Sequence, residues 1–275
     1  MTYVMSDLHG YPLRKFKELL ERVNFSKDDT LYIGGDAIDR GNEGIALLQY
    51  IMEQENIVFF PGNHEEFMLD AEPLFWEITE HSVKNFSVAP MFAYYDWLEN
   101  GGEITISHIK KMSTEDRDKL YGYLHSCPRC ATFSVNGKDY IFAHTVPENF
   151  SSDKPLDEYT DEELLWSRPF DEEPEDIFDE VGIRLKERMG YEFTFTVPLE
   201  ENSAELSKEF QRKEAFQEYT GKHLIIGHTP TFTVSSNYRG KPIFGKNWVN
   251  IDVGVSGGYS PLLLRVDDMK EFYGY

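Results

Sequence analysis

Thr2-Tyr3-Val4-Met5-Ser6-Asp7-Leu8-His9, Leu31-Tyr32-Ile33-Gly34-Gly35-Asp36 and Ile57-Val58-Phe59-Phe60-Pro61-Gly62-Asn63-His64 share one grammar: a brief apolar run that stops at a group able to bind a metal. Short aliphatic or aromatic runs read as buried strands. Between them, Pro12 and Leu13 open a helical pattern through Phe16, Leu19, Leu20 and Val23, and Gly44 to Met52 supplies a second helix. Strand, helix, strand, helix, strand over residues 2–63 is βαβαβ, which implies an α/β fold with parallel strands and right-handed crossovers. In open sheets of this kind ligands collect outside the carboxyl ends of the strands, where these polar groups stand. The grammar recurs twice, as Tyr140 to Ala143 ends at His144 and Leu224 to Ile226 ends at His228.

The rest of the chain is read outward from this frame. Residues 66–112 are rich in aromatics (Phe67, Phe75, Trp76, Phe86, Phe92, Tyr94, Tyr95, Trp97) and read as helices packed over the sheet, with some rings able to line a cleft. Ser113 with Asp116 resembles a capping box, and Leu120, Tyr123 and Leu124 follow at helical spacing. Thr132 to Val135 and Tyr140 to Phe142 flank Asn136-Gly137, a hairpin signal that suggests a second, mixed sheet. Residues 151–181 are acidic, interrupted by Leu164, Leu165 and Trp166. A strand at 193–197 and a helix at 203–219 follow, so that about 182–221 reads as a lid insertion or as a solvated surface loop. Strands at 248–253 and 262–266 close a single domain spanning 1–275.

A length of 275 residues with 40% hydrophobic content is enough for an ordinary buried core. No apolar stretch has the roughly 18 residues of a spanning helix, and no signal-sequence pattern opens the chain, so a cytoplasmic protein is expected, with no membrane partner. Cys127 and Cys130 form no disulfide framework; their CxxC spacing suits a redox or zinc role or ordinary cysteines in a helix-to-strand turn, with only His125 nearby as a further ligand. The formal charge of -22 excludes holding nucleic acid by the general surface, because phosphate contacts need Lys and Arg. Any phosphate site must then be made positive locally. Oligomeric state is not legible.

Asp7, His9, Asp36, Asn63, His144 and His228 comprise two carboxylates, three imidazoles and an amide oxygen. That mixture suits first-row divalent ions better than an all-oxygen calcium or magnesium shell or a thiolate zinc site. The residues also arrive in an ordered set of motifs: Asp7-Leu8-His9-Gly10, Gly35-Asp36-Ala37-Ile38-Asp39-Arg40-Gly41, Gly62-Asn63-His64-Glu65, His144, and Gly227-His228-Thr229. This set resembles the calcineurin-like metallophosphoesterase superfamily, and GDxxDRG with GNHE resembles its phosphoprotein phosphatase branch, which includes the symmetrical diadenosine tetraphosphate hydrolases. Asn250-Ile251-Asp252 with Gly257-Gly258, and Trp97-Leu98-Glu99-Asn100-Gly101-Gly102, are similar to prokaryotic members. Ser6 stands where the branch usually has Gly, and Thr145-Val146 replaces a small Gly-containing pair.

The resemblance implies a four-layer α/β/β/α sandwich with two mixed sheets and a dinuclear metal site at the strand carboxyl ends. It assigns Asp7, His9 and Asp36 to one ion and Asp36, Asn63, His144 and His228 to the other, with Asp36 shared; manganese is the first expectation, iron or zinc the others. A hydroxide between the ions would attack phosphorus directly. His64 would protonate the leaving group, oriented by Asp39, and Arg40 and Arg168 would clamp phosphate, although Arg168 also reads as an exposed structural arginine. The function expected is a serine/threonine protein phosphatase acting on phosphorylated protein or a small phosphoester. A hydrolase of nucleotide phosphoanhydrides such as diadenosine tetraphosphate, and a catalytically silent phospho-ligand binding protein, are the alternatives.

Overall fold

The computed structural model describes residues 1–76, 87–169 and 219–274. The three opening runs are strands β1 (Thr2–Met5), β2 (Thr30–Gly34) and β3 (Ile57–Phe60), separated by helices α1 (Leu13–Arg22) and α2 (Gly44–Met52). β1 pairs in parallel with β2, and β2 with β3. Among the described residues, α3 (Asn63–Asp70) is followed by α4 (Ala89–Glu99), α5 (Glu103–Ile109) and α6 (Thr114–Ser126). Ser113 caps α6, its hydroxyl accepting the Asp116 N–H at 3.1 Å. Asn136 and Gly137 both take positive φ, 51° and 76°, and turn β4 (Cys130–Val135) into β5 (Lys138–Ala143). Then come α7 (Asp161–Leu165), β6 (His223–Ile226), α8 (Thr231–Val234), β7 (Ile243–Phe244), β8 (Trp248–Asn250), β9 (Leu262–Arg265) and β10 (Lys270–Tyr273).

Two five-stranded mixed sheets result, ordered β10-β9-β1-β2-β3 and β4-β5-β6-β8-β7. The inner strands are apolar on both faces because both faces are covered, whereas the edge strands β4, β7 and β10 carry exposed residues. Tyr3 and Met5 of β1 enter the core beneath the helices, whereas Val4 between them enters the core between the sheets. In β5, Ile141 and Ala143 face the outer core of the second sheet, while Tyr140 and Phe142 face the first sheet. The period of two thus survives inside an uninterrupted apolar run. The five strands followed by candidate ligands are divided three and two between the sheets, and their carboxyl ends meet at one edge.

Two expectations change. The strand expected over 248–253 stops at Asn250, because the Asn250 side chain accepts the Asp252 N–H and the Asp252 side chain accepts the Gly254 N–H, bending the chain away. Of the aromatics expected to pack over the sheet, Phe67, Phe75 and Trp97 are buried, but Phe92 and Tyr95 are exposed. Tyr94, Trp97 and Leu98 form the inward stripe of α4, and the other two rings lie off it. The expected strand at 193–197 and the helix from 203 onward lie outside the described residues, as does most of the 182–221 insertion. Among the described residues no helix is long and apolar enough to cross a membrane.

Candidate metal centre

Most of the candidate ligands stand in tight loops after their strands, and Asn63 opens α3. Six of the ten non-glycine residues with positive φ among the described residues are site residues: Asp7, His9, Asp36, Asp39, Arg40 and His228. Strain of this kind costs on the order of 1–3 kcal/mol per residue and persists only where surrounding bonds impose it. Those bonds are present: Asp7 N–H donates to Gly35 O (3.1 Å), His9 N–H to Asp36 O (2.8 Å), and Gly227 N–H to His144 O (2.8 Å). The two sheets are tied at the site itself, since the His228 N–H donates to the Asp7 carboxylate at 3.1 Å.

Asp36 stands at the middle. Its Oδ2 lies 3.8 Å from His9 Nε2 and 3.9 Å from His64 Nε2, and its Oδ1 lies 3.6 Å from His144 Nε2. The carboxylate therefore divides its two oxygens between two groups able to hold a metal, His9-Asp36-His64 and Asp36-His144-His228. Asn63 belongs with the second group: its Oδ1 is 3.0 Å from both His144 Nε2 and His228 Nδ1, and those nitrogens are 3.1 Å apart. Asp7 is buried beside them, but its carboxylate is engaged by the His228 N–H and the Ser6 hydroxyl, and it stands outside both groups. The first group contains His64, which the sequence reading reserved for proton transfer.

The donor set fits a cation. The His144 Nδ1–H donates to Gly34 O at 2.8 Å, so that Nε2 carries a lone pair, and this lone pair meets the Asn63 oxygen and the His228 nitrogen. One proton on His228 cannot satisfy three mutual contacts; one cation can. Edges of 3.0–3.1 Å match those of a coordination shell with metal-to-ligand bonds of about 2.1 Å, where two ligands at right angles stand about 3.0 Å apart.

The buried imidazoles separate by charge preference. Burial lowers His9 to about 3 and takes His228 well below its ordinary value, so both present lone pairs at neutral pH. Burial pulls His64 the same way, but the Asp36 charge and the hydrogen bond and charge of Asp39 outweigh it and raise His64. The His64 Nδ1–H donates to Asp39 Oδ2 at 2.6 Å. Burial also opposes ionisation of Asp36, yet the surrounding imidazoles hold its carboxyl low. Asp7, by contrast, is pushed up to about 6 by burial.

Arg40 reaches into the same space, its Nη1 donating to His9 Nε2 (2.9 Å) and its Nη2 to His64 Nε2 (3.0 Å). Arg168 is exposed at the rim, and its charge helps to depress His228. Its segment is held there by Thr145, whose N–H donates to Leu164 O (3.1 Å) and whose hydroxyl donates to Ser167 O (2.8 Å). Thr145, where the family pattern differs, thus anchors the arginine loop beside His144.

Two residues without a role in the sequence reading prove central. Glu65 is fully buried and accepts four backbone N–H groups, those of Asp36, Ala37, Ile38 and Gly62. Its bond to the Gly62 N–H is the glutamate half of a capping box, and because glycine has no side chain to complete the other half, the sequence carried no full sign of it. Thr105, whose hydroxyl accepts the Asp39 N–H at 3.1 Å, carries no sign at all. Cys127 and Cys130 are ordinary half-buried thiols at the end of α6 and the start of β4. Burial pushes Cys127 up to about 11, and neither cysteine joins a metal-type group among the described residues.

A family model described as calcineurin-like phosphoesterase matches residues 2–232. The symmetrical bis(5'-nucleosyl)-tetraphosphatase of Haemophilus ducreyi is 36% identical over 70 residues, 25% of this chain and 26% of that one. The chain thus spans about a quarter of that relative. Serine/threonine-protein phosphatase 2 of Salmonella typhimurium is 30% identical over 170 residues, 60% of this chain and 67% of that one. A crystal structure described as a putative diadenosine tetraphosphatase aligns over 100% of this chain and 93% of that chain, with a TM-score of 0.53 and 16% identity, a likeness of fold.

Proposed function

Because this chain belongs to the calcineurin-like phosphoesterase family, we propose that it hydrolyses phosphoric monoesters at a two-metal centre, as a serine/threonine protein phosphatase. The observation that carries the reading is the division of the Asp36 oxygens between two ligand groups. His9 and Asp36, with Asp7 beside them, would hold one divalent ion, and Asp36, Asn63, His144 and His228 the other, manganese being our first choice. Such ions would polarise the phosphoryl oxygens and make a water acidic enough to attack at neutral pH.

The side chains supply the rest. His64 keeps a proton on Nε2 because Asp39 takes its Nδ1–H, and it yields that proton to the departing alkoxide. Nε2 can accept from Arg40 only while His64 is neutral, so protonation releases the guanidinium toward substrate. Arg40 and Arg168 then pair with phosphoryl oxygens, each able to offer two parallel N–H groups.

The relatives named as tetraphosphatases favour a second reading, hydrolysis of a nucleotide phosphoanhydride. Purified protein with Mn2+ is assayed on a phosphoserine peptide and on diadenosine tetraphosphate. Release of inorganic phosphate from the peptide supports our choice, and exclusive turnover of the dinucleotide to ADP overturns it. Changing His64 to Ala separates an enzyme from a silent binding protein: an alkyl phosphate should lose about a hundredfold or more in kcat.

A further inference from the structure

The Trp97-Leu98-Glu99-Asn100-Gly101-Gly102 segment joins α4 to α5 and contributes nothing to the ligand groups, yet it grips the two residues that follow the bridging ligand's loop. Trp97 is fully buried, and its indole N–H donates to Asp39 Oδ2 at 2.7 Å. That oxygen is the one that takes the His64 Nδ1–H, while Asp39 Oδ1 is buried with no partner. At the next residue the Arg40 N–H donates to Gly101 O at 3.1 Å, and the Asp39 N–H is held by Thr105 in the first turn of α5. Asp39 and Arg40 need this grip, because they sit side by side at φ 67° and 62°, where side chains with a Cβ are strained.

The glycines are what let the segment come so close. A Cβ on Gly102 would strike the Trp97 indole, and Gly101 takes φ +92° with the Arg40 Cγ 3.1 Å from where its Cβ would be. The turn is therefore folded around Trp97 and against Arg40 at once. A carboxylate with one oxygen unpartnered is free to rotate about its Cβ–Cγ bond unless the other oxygen is pinned. Here one bond comes from His64, the group to be oriented, and only the indole bond is independent of it.

We propose that Trp97 is a positioning residue for proton donation: its N–H fixes the Asp39 carboxylate in the one rotation that aims the His64 ring, and so sets the rate of reactions that need a proton on the leaving group. The inference rests on the reading of His64 as the proton donor. A hydrogen bond to a charged group is worth enough to change a rate by about tenfold or more when lost.

The test uses the manganese-loaded protein and two substrates, an alkyl phosphate in a phosphoserine peptide and p-nitrophenyl phosphate, whose leaving group departs without a proton. Trp97→Phe keeps the ring and removes the N–H. Expected is a fall of about tenfold in kcat on the peptide, less than about twofold on the aryl ester, and an unchanged KM. In a His64→Ala background the same change should cost nothing further on the peptide, because Trp97 acts through His64. An equal loss on both substrates, or a full loss in the His64→Ala background, overturns the proposal, as does an unchanged rate on the peptide. Should Trp97→Phe not fold, a benzothienylalanine in place of Trp97, which exchanges the indole N–H for sulfur and keeps the bicyclic ring, carries the same expectation and the same refutations. If His64→Ala itself shows no dependence on the leaving group, the proton-donor reading fails; if His64→Ala does and Trp97→Phe does not, only this inference fails.

Discussion

Changing Glu65 to Gln alters one atom in the interior and should disable the centre. The Glu65 Oε2 accepts the Asp36 N–H (2.8 Å) and the Gly62 N–H (2.9 Å), and Oε1 accepts those of Ala37 (2.9 Å) and Ile38 (3.2 Å). A glutamine keeps one acceptor oxygen and turns an NH2 toward the other two donors, with no water to relieve them, since the residue is fully buried. Each orphaned N–H costs about 1–3 kcal/mol, so the substitution destabilises by about 4 kcal/mol. With a urea dependence of about 3 kcal/mol per molar for a chain of this size, the midpoint should fall by about 1 M. The function should suffer too, because Oε2 clips the loop bearing Asp36 to the start of the helix bearing Asn63 and His64. Equilibrium urea unfolding followed by circular dichroism, and manganese bound per chain after dialysis, measure the two effects. A Glu65→Gln protein with the parental midpoint and full manganese content would refute the argument that this carboxylate holds the ligand loops in register.

Other outcomes follow from the same geometry. Asp36→Asn should lower kcat on an alkyl phosphate by about a thousandfold and reduce bound manganese, measured by elemental analysis, because a neutral amide cannot serve two cations; retained metal and rate would contradict the shared ligand. Gly62→Ala should weaken manganese binding by at least about tenfold in a calorimetric titration, since its Cβ would land on Asp36 Oδ1 and 2.7 Å from His144 Cε1. Protein stripped of metal should lose thermal stability as pH rises from 6.5 to 8. Burial raises Glu65 to about 7 and Asp252 well above its ordinary value, and His64 is also raised, by Asp36 and Asp39 against the pull of burial. The folded form therefore holds protons that the unfolded chain has released over this range. His9 and His228 act in the opposite sense only below 6.5, where unfolded imidazoles take up protons. Added Mn2+ at pH 8 should restore the loss, and a melting temperature that rises with pH in the stripped protein would count against these buried acids.

The βαβαβ opening was legible because it is written in local terms. Pro12, the apolar stripe of α1 and the turn at Asn136-Gly137 act over a few residues, and the structure keeps all three. The six candidate ligands could be picked out for a related reason: a metal demands particular atoms, and strand ends are where a sheet can present them. What their spacing could not say is which partner each would have. Asp7 faces a backbone N–H that follows a strand of the second sheet, an approach set by how closely the two sheets come together, and Arg40 lies between two imidazoles that follow the neighbouring strands of its own sheet.

Chemistry at this site was therefore determined by the sequence, and its orientation by the tertiary structure. A residue's type and its place at the end of an apolar run fix which atoms are offered and that they are buried. Whether the Asp36 oxygens divide between two groups, whether His64 is raised while His9 is lowered, and whether a tryptophan 58 positions from Asp39 holds its carboxylate are set by distances of 2.7 to 3.8 Å between segments remote in the chain. Hydrogen bonds fail beyond about that length, and charge interactions weaken as the separation grows. Only packing that brings two sheets and a helix turn to one point could decide them.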